Sequence, residues 1–214
     1  RLGTNLTYLP WAVEKGADVY TDVRCDRLER INGSSWRAHC TVVQRGLRTA
    51  RLPLTIDCER VVLAASAIFT PAILLRSGLG DGLPQLGRNL TLQPQLGLVG
   101  RFDEGDEIVH WRGAPQSVEV DEFADNSVER GLGGFRLEGI GGAIGPVMIM
   151  TPGFGREHKR FGKYMRNLSA TLLLVPDQPS GAVSYQWAED GRVTPKIDYV
   201  MQDEWKQRLK AGIR

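Results

Sequence analysis

Several absences bound what this 214-residue sequence can do. No run approaches the roughly 18 apolar residues needed to span a bilayer, and the opening stretch RLGTNLTYLP has no apolar core of a signal peptide. There is no GxGxxG loop to cradle a dinucleotide pyrophosphate, no G-x-S-x-G elbow for a serine nucleophile, no CxxC pair and no EF-hand spacing. Charge of one sign is also missing: 27 Lys and Arg are interleaved with 25 Asp and Glu, for a net charge of +2. Without a broad electropositive footprint, nucleic acid is discounted as a partner. Cysteine is scarce, and Cys25, Cys40 and Cys58 are odd in number, so buried or half-buried thiols are expected. The odd count argues against a secreted setting in which the Asn-x-Ser/Thr acceptors at Asn5, Asn32, Asn89 and Asn167 would matter. A soluble chain is expected, with a cytoplasmic setting favoured and membrane association of a parent protein left open. Beginning at Arg1 without methionine and stopping at Arg214 just after a helical pattern, the sequence reads as an excised stretch.

The patterns that are present describe two kinds of sheet. Leu6 to Lys15 reads as a short helix stopped by Gly16, followed at once by the strand ADVYTDV. Helix, glycine and apolar strand form the return half of a βαβ unit and imply a parallel sheet. From Asp26 to Asp57 the pattern changes to alternating strands: RLERI, the turn Asn32-Gly33-Ser34-Ser35, WRAHCTVV, a break at Gly46, and ARLPLTI. This predicts an antiparallel meander. The run VVLAA, Val61 to Ala65, is apolar throughout, as expected of a strand covered on both faces of a parallel sheet. Thr70 and Pro71 then read as the N-cap and first position of a helix ending at Ser77-Gly78-Leu79-Gly80.

Beyond a connection at Gln85 to Pro94 the chain favours strands again: QLGLVGRF, SVEVDEF, GFRLEGI, LSATLLLV, AVSYQWA and KIDYV. The last two flank a hairpin turn at Glu189-Asp190-Gly191-Arg192, and DEWKQRLKAG closes with a helical pattern. The domain boundary is placed near the connection, giving 1–93 and 94–214.

Most candidate chemistry has a plain structural reading beside it. The glycines from Gly131 to Gly145 do not complete a phosphate loop and read as turns beside strands. His39, His110 and His158 are scattered without partners at metal spacing, so structural or exposed roles are expected and no metal site is assigned. Arg156, Lys159, Arg160, Lys163 and Arg166 read as a solvated helix face, and Asp103, Glu104, Asp106 and Glu107 as an acidic turn.

One constellation carries a resemblance. VVLAASAIFTPAILLRSGLG followed by LGRNLTLQP is similar to a signature of the glucose-methanol-choline (GMC) oxidoreductases, V-V-L-A-A-G-A-x-x-[ST]-P-x-x-L-L-x-S-G-[IL]-G and then L-G-x-N-L-x-x-H-P. The preceding TYLPWAVEKGADVYTDVRCDRL resembles the family's T-Y-L-x-x-A-x-x-x-G-A-x-V block, in the same order. Later stretches, among them VGRFDEGDEIVHWRGAPQSVEVDEF and LLLVPDQPSGAVSYQWAEDGRV, are similar to the substrate domain of the branch that includes long-chain-alcohol and sterol oxidases.

The resemblance implies an interior piece of an FAD-dependent alcohol oxidoreductase. The expected fold is an α/β FAD-binding part, Rossmann-like with an antiparallel β-meander, joined to an α+β substrate domain with an antiparallel sheet, both incomplete. Hydride would pass from an alcohol to FAD while a histidine takes the hydroxyl proton. The electron acceptor is unknown. In the family the GxGxxG loop and the catalytic histidine lie toward the two ends, so no catalytic residue is named and the piece alone is expected to be inactive.

Cofactor contacts are assigned to Cys25, where the family has Val at the strand whose backbone meets the adenine, and to Ala64, Ala65 and Ser66. Small residues at the carboxyl end of a strand admit a ligand, though they also serve tight strand–helix packing. Ser66 stands where the family has Gly, and Gln93 where it has His. Phe102, Trp111, Phe123 and Phe135 are equally readable as the lining for a bulky apolar alcohol or as core. The rival class is a non-catalytic binding or structural module derived from this fold.

Overall fold

The computed structural model describes residues 3–44, 50–114, 116–125, 134–142, 144–151, 153–189 and 192–214. The chain divides into two compact units, Arg1–Leu90 with Pro179–Val200, and Thr91–Gln178 with Met201–Arg214. The sequence places one boundary at 93/94; the units part at 90/91, and the hairpin within 179–200 groups with the first unit.

In the first unit, helix α1 (Tyr8–Glu14) ends at Gly16, whose φ of +91° follows from its lack of a Cβ. The expected strand 17–23 does not form: residues 17–22 are not in a strand, Asp22 takes a positive φ of 56°, and pairing starts only at Val23, antiparallel to β2. From there β1 (Val23–Ile31), β2 (Ser35–Gln44) and β3 (Ala50–Cys58) form an antiparallel sheet in the order β1-β2-β3. Asn32 and Gly33, both at positive φ, reverse the chain between β1 and β2. The β2–β3 turn around Gly46 lies outside the described residues.

Alternation sorts this sheet into two faces. Cys25 opposite Cys40 and Leu28 opposite Ala38 share the apolar face, and Leu28 and Cys40 are buried. The other face carries ion pairs: Arg37 grips the Asp57 carboxylate through both oxygens at 2.7 and 2.8 Å, and His39 meets Glu29 at 2.7 Å. Helix α2 (Ser66–Arg76) packs on β1. At its end the Ser77 hydroxyl donates to Ile73 O at 2.6 Å and accepts from the Leu28 amide at 2.7 Å. Gly78, at φ +68°, lets Leu79 N return to Leu74 O at 3.0 Å.

Two expectations are corrected around α2. The helix starts at Ser66, so Pro71 lies inside it and Thr70 is not its cap. Thr70 instead accepts the Ala65 amide on its hydroxyl at 3.1 Å, and the proline ring costs the helix one internal hydrogen bond. The run Val61 to Ala65 is not a strand: no described residue pairs with it, and Val62 is 90% exposed. An apolar run forms a parallel strand only between neighbours on both sides, and all pairings among the described residues are antiparallel.

A second sheet of this unit runs β10-β9-β4, built from β4 (Arg88–Leu90), β9 (Gly181–Trp187) and β10 (Val193–Asp198). The turn residues Asp190 and Gly191 lie outside the described residues, but Ala188 N reaches Arg192 O at 2.9 Å. Gly181 is required there, because a Cβ would stand 2.8 Å from Leu90 O.

The second unit is built on an antiparallel sheet ordered β5-β8-β7-β6, from β5 (Gln95–Arg101), β6 (Glu119–Val120), β7 (Arg136–Ile140) and β8 (Leu168–Leu174). Interior β8, LSATLLL, carries the core: Leu168, Leu173 and Leu174 are buried. Helix α5 (Asp203–Ile213) lies against it and buries Trp205. Phe123 stacks on Phe135 at 5.0 Å between centroids, with Phe135 buried, so this aromatic pair is packing. Short helices α3 (Ile144–Met150) and α4 (Arg156–Gly162) precede β8, and only part of the glycine-rich stretch from Gly131 to Gly145 is described. Asn167 is buried and donates to the backbone carbonyls of Asp103, Glu104 and Asp106 at 2.9, 3.4 and 3.1 Å. The acidic turn is thus fastened by this amide, which is not an accessible glycosylation acceptor.

Candidate functional site

A cavity of about 780 Å3 opens in the first unit, where β1, α2 and the β9–β10 hairpin meet. Its wall on β1 is made by Val23, Arg24, Cys25 and Asp26; Ala65 and Ala72 keep the α2 side small, and Phe69, Ile73 and Trp187 make it apolar. A β-bulge between Cys25 and Arg27 leaves Asp26 unpaired in the ladder and re-aims its carboxylate. That carboxylate accepts from Arg24 Nε at 2.7 Å and from the Thr41 hydroxyl at 2.5 Å, with Arg76 at 3.9 Å. Arg76 also lies over the Trp187 ring, 5.6 Å from its centroid.

Of the four residues assigned from sequence, Cys25 and Ala65 line this one cavity, although β1 and the start of α2 are far apart in sequence. Ala64 and Ser66 flank Ala65 but do not line it. Ser66 takes φ +68°, the conformation for which glycine is the usual residue, and accepts the Ile68 amide on its hydroxyl at 3.2 Å. The serine therefore keeps the turn geometry of a glycine, with strain in place of permissiveness.

Cys25 and Cys40 are both held toward the neutral thiol form. Burial, then the adjacent Cys40 thiol and the charges of Asp26 and Cys58, push Cys25 up to about 11. Burial also raises Cys40, against a hydrogen bond from Cys25 that favours its charged form. Cys25 is thus a small, neutral side chain on this wall.

Sequence reasoning missed Arg76, Trp187 and Tyr185 as parts of this region. Tyr185 donates its hydroxyl to Ile68 O at 2.5 Å, two residues 117 apart in sequence. No local pattern announces such a contact. His39 is partnered by Glu29 and His158 by Met148 O at 2.7 Å, while His110 stands edge-on to Trp111 with its Nε2 buried and without a partner among the described residues. Among the described residues no cluster of His, Cys, Asp or Glu could hold a metal ion.

In the second unit, Gln93 lines a smaller cavity of about 380 Å3 together with Arg136, Glu138 and Asp177. Asp177 accepts the Leu92 amide at 2.7 Å, while its other oxygen is buried without a partner among the described residues.

A family model described as GMC oxidoreductase matches residues 1–95, which contain the β1 and α2 walls of the larger cavity. The chain belongs to the GMC oxidoreductase family. An uncharacterized GMC-type oxidoreductase of Mycobacterium tuberculosis (strain H37Rv) is 34% identical over 183 residues, covering 86% of this chain and 27% of that protein. Two proteins named long-chain-alcohol oxidases, both of Arabidopsis thaliana, are 32% and 26% identical, each over 99% of this chain and over 28% and 29% of their own lengths. The chain thus spans less than a third of the length of these relatives. Helices and antiparallel sheets are the architecture that accompanies the family match. Among the described residues no helix is long and apolar enough to cross a membrane.

Proposed function

We propose that the protein carrying this chain is a flavin-dependent alcohol oxidoreductase, that the cavity between β1 and α2 is its adenine-side cofactor wall, and that its substrate is a long, apolar alcohol. The observation that carries this reading is the meeting of Cys25 and Ala65, two residues assigned to the cofactor from separate sequence blocks, on one apolar cavity. The residues fit such a group. Ala65 and Ala72 leave room for a flat ring, and Phe69, Ile73 and Trp187 supply apolar surface around it. Cofactor contact at Cys25, Ala64, Ala65 and Ser66 belongs to this proposal, with the Cys25 backbone as the polar edge.

When bound, FAD supplies the acceptor for hydride from the alcohol carbon. This chain's residues hold, orient and exclude water. No proton acceptor for the alcohol is assigned among them, and none of His39, His110 and His158 lines this cavity. The long apolar substrate is supported by the names of the Arabidopsis relatives.

The test is purification of the full-length protein, release and identification of its bound nucleotide, and turnover on primary alcohols of increasing chain length with dioxygen and with an artificial acceptor. Bound FAD and rates that rise with chain length are expected. A protein that takes up no flavin after reconstitution with FAD overturns the reading, and one that binds FAD but prefers short alcohols overturns its substrate half.

A further inference from the structure

The β1–β2 ladder sets two of the three cysteines face to face. Cys25 is directly opposite Cys40, and both thiols are free. Directly opposed residues of an antiparallel pair share a face and stand about 4.5–5.5 Å apart at Cα, within the span of about 4.4–6.8 Å that a disulfide bridges. Each thiol contacts a backbone carbonyl of its own strand, Cys25 at Arg27 O (4.0 Å) and Cys40 at Ala38 O (3.9 Å). Cys58 has no such partner: Trp36 stands opposite it, and its sulfur lies 3.8 Å from Trp36 O.

Access differs within the pair. Cys40 is buried at 7% exposure, whereas Cys25 is half-buried and lines the large cavity. The bulge that follows Cys25 breaks the regular ladder at that point and leaves the β1 side of the pair the easier one to move.

We propose that Cys25 and Cys40 are a reversible dithiol–disulfide pair, with Cys25 the sulfur that meets a hydroperoxide entering through the cavity and Cys40 the resolving thiol. The Cys25 sulfur attacks hydrogen peroxide, the O–O bond breaks, and the products are a sulfenic acid on Cys25 and one water. Cys40 then attacks that sulfur; the S–S bond forms, the S–O bond breaks, and the hydroxyl leaves with the Cys40 proton as a second water. The two thiols lose two electrons and two protons, and the peroxide takes up both. The cavity admits peroxide to Cys25 only while no cofactor fills it, so the proposal concerns the flavin-free state of the protein.

The test exposes the full-length protein, stripped of bound nucleotide, to hydrogen peroxide at about pH 9, where more of a buried thiol is ionised, then unfolds it, blocks remaining thiols with iodoacetamide and maps tryptic peptides by mass. Alkylated Cys25 and Cys40 are expected to fall together by roughly tenfold, replaced by one linked peptide that dithiothreitol separates, while alkylated Cys58 stays near its starting level. In Cys40→Ala, Cys25 should stop at a sulfenic acid that dimedone captures; in Cys25→Ala, Cys40 should remain a thiol. Wild-type mapping alone overturns the proposal if Cys25 and Cys40 stay alkylatable, or if Cys25 proceeds to sulfinic acid without a linked peptide.

Discussion

At the scale of single residues, Ser66 shows how a departure from a family pattern can keep the geometry and change the energy. The chain turns into α2 through φ +68°, a region that costs a residue with a Cβ about 1–2 kcal/mol. Its hydroxyl recovers little, since the bond from the Ile68 amide is exposed and 3.2 Å long. Ser66→Gly relieves the strain but gives the unfolded chain more freedom, so a net gain of about 0.5–1 kcal/mol is expected. Chemical denaturation of the full-length protein checks the sign. A loss of stability would mean that the Ser66 hydroxyl contributes more than its exposed bond suggests. Asn167 is the opposite case, a polar residue whose burial is explained completely by three backbone carbonyls.

Among the elements, the meander is the one best written in the sequence. Alternation, an Asn-Gly turn and charges at matching positions determine β1 and β2 with local information alone, and the ion pairs on the outer face follow from the register. Asp57 is held below the usual carboxylate range first by its hydrogen bond with Arg37 and then by the Arg37 charge. Glu29 is lowered first by its hydrogen bond with His39. For a carboxylate lowered on folding, the stabilisation is complete above its unfolded pKa of about 4 and disappears as pH falls through the lower folded value. Arg37→Ala should therefore lower the melting temperature slightly at neutral pH and not at all at strongly acidic pH, as thermal scans of mutant and parent across that range would register. An equal deficit at both ends would assign the effect to lost packing of the Arg37 stem. The apolar run at Val61 to Ala65 was less legible for a physical reason: strand pairing there depends on neighbours that no local pattern encodes, and the described residues provide none.

Across the whole molecule, the cavity was half legible. Cys25 and Ala65 could be named because each sits in a sequence block with its own pattern, whereas Trp187 and Arg192 come from a hairpin that pattern assigns only as two strands and a turn. Ala64, Ala65 and Ser66 were named together as small residues ending an apolar run, and along a chain that turns at φ +68° they do not share one wall. The cofactor reading then has a consequence specific to this cavity. Ala65→Phe puts a ring into its half-buried wall, where a flat ligand would otherwise lie, while leaving the Ala65 amide free to donate to Thr70. In the full-length protein the flavin-to-protein absorbance ratio should fall severalfold with the far-ultraviolet circular dichroism unchanged. Ala124→Phe, which crowds the smaller cavity of the second unit, should leave the ratio where it was. Equal losses in the two variants would mean that bulk anywhere in the chain disturbs the fold, and full flavin in Ala65→Phe would move the adenine away from β1 and α2.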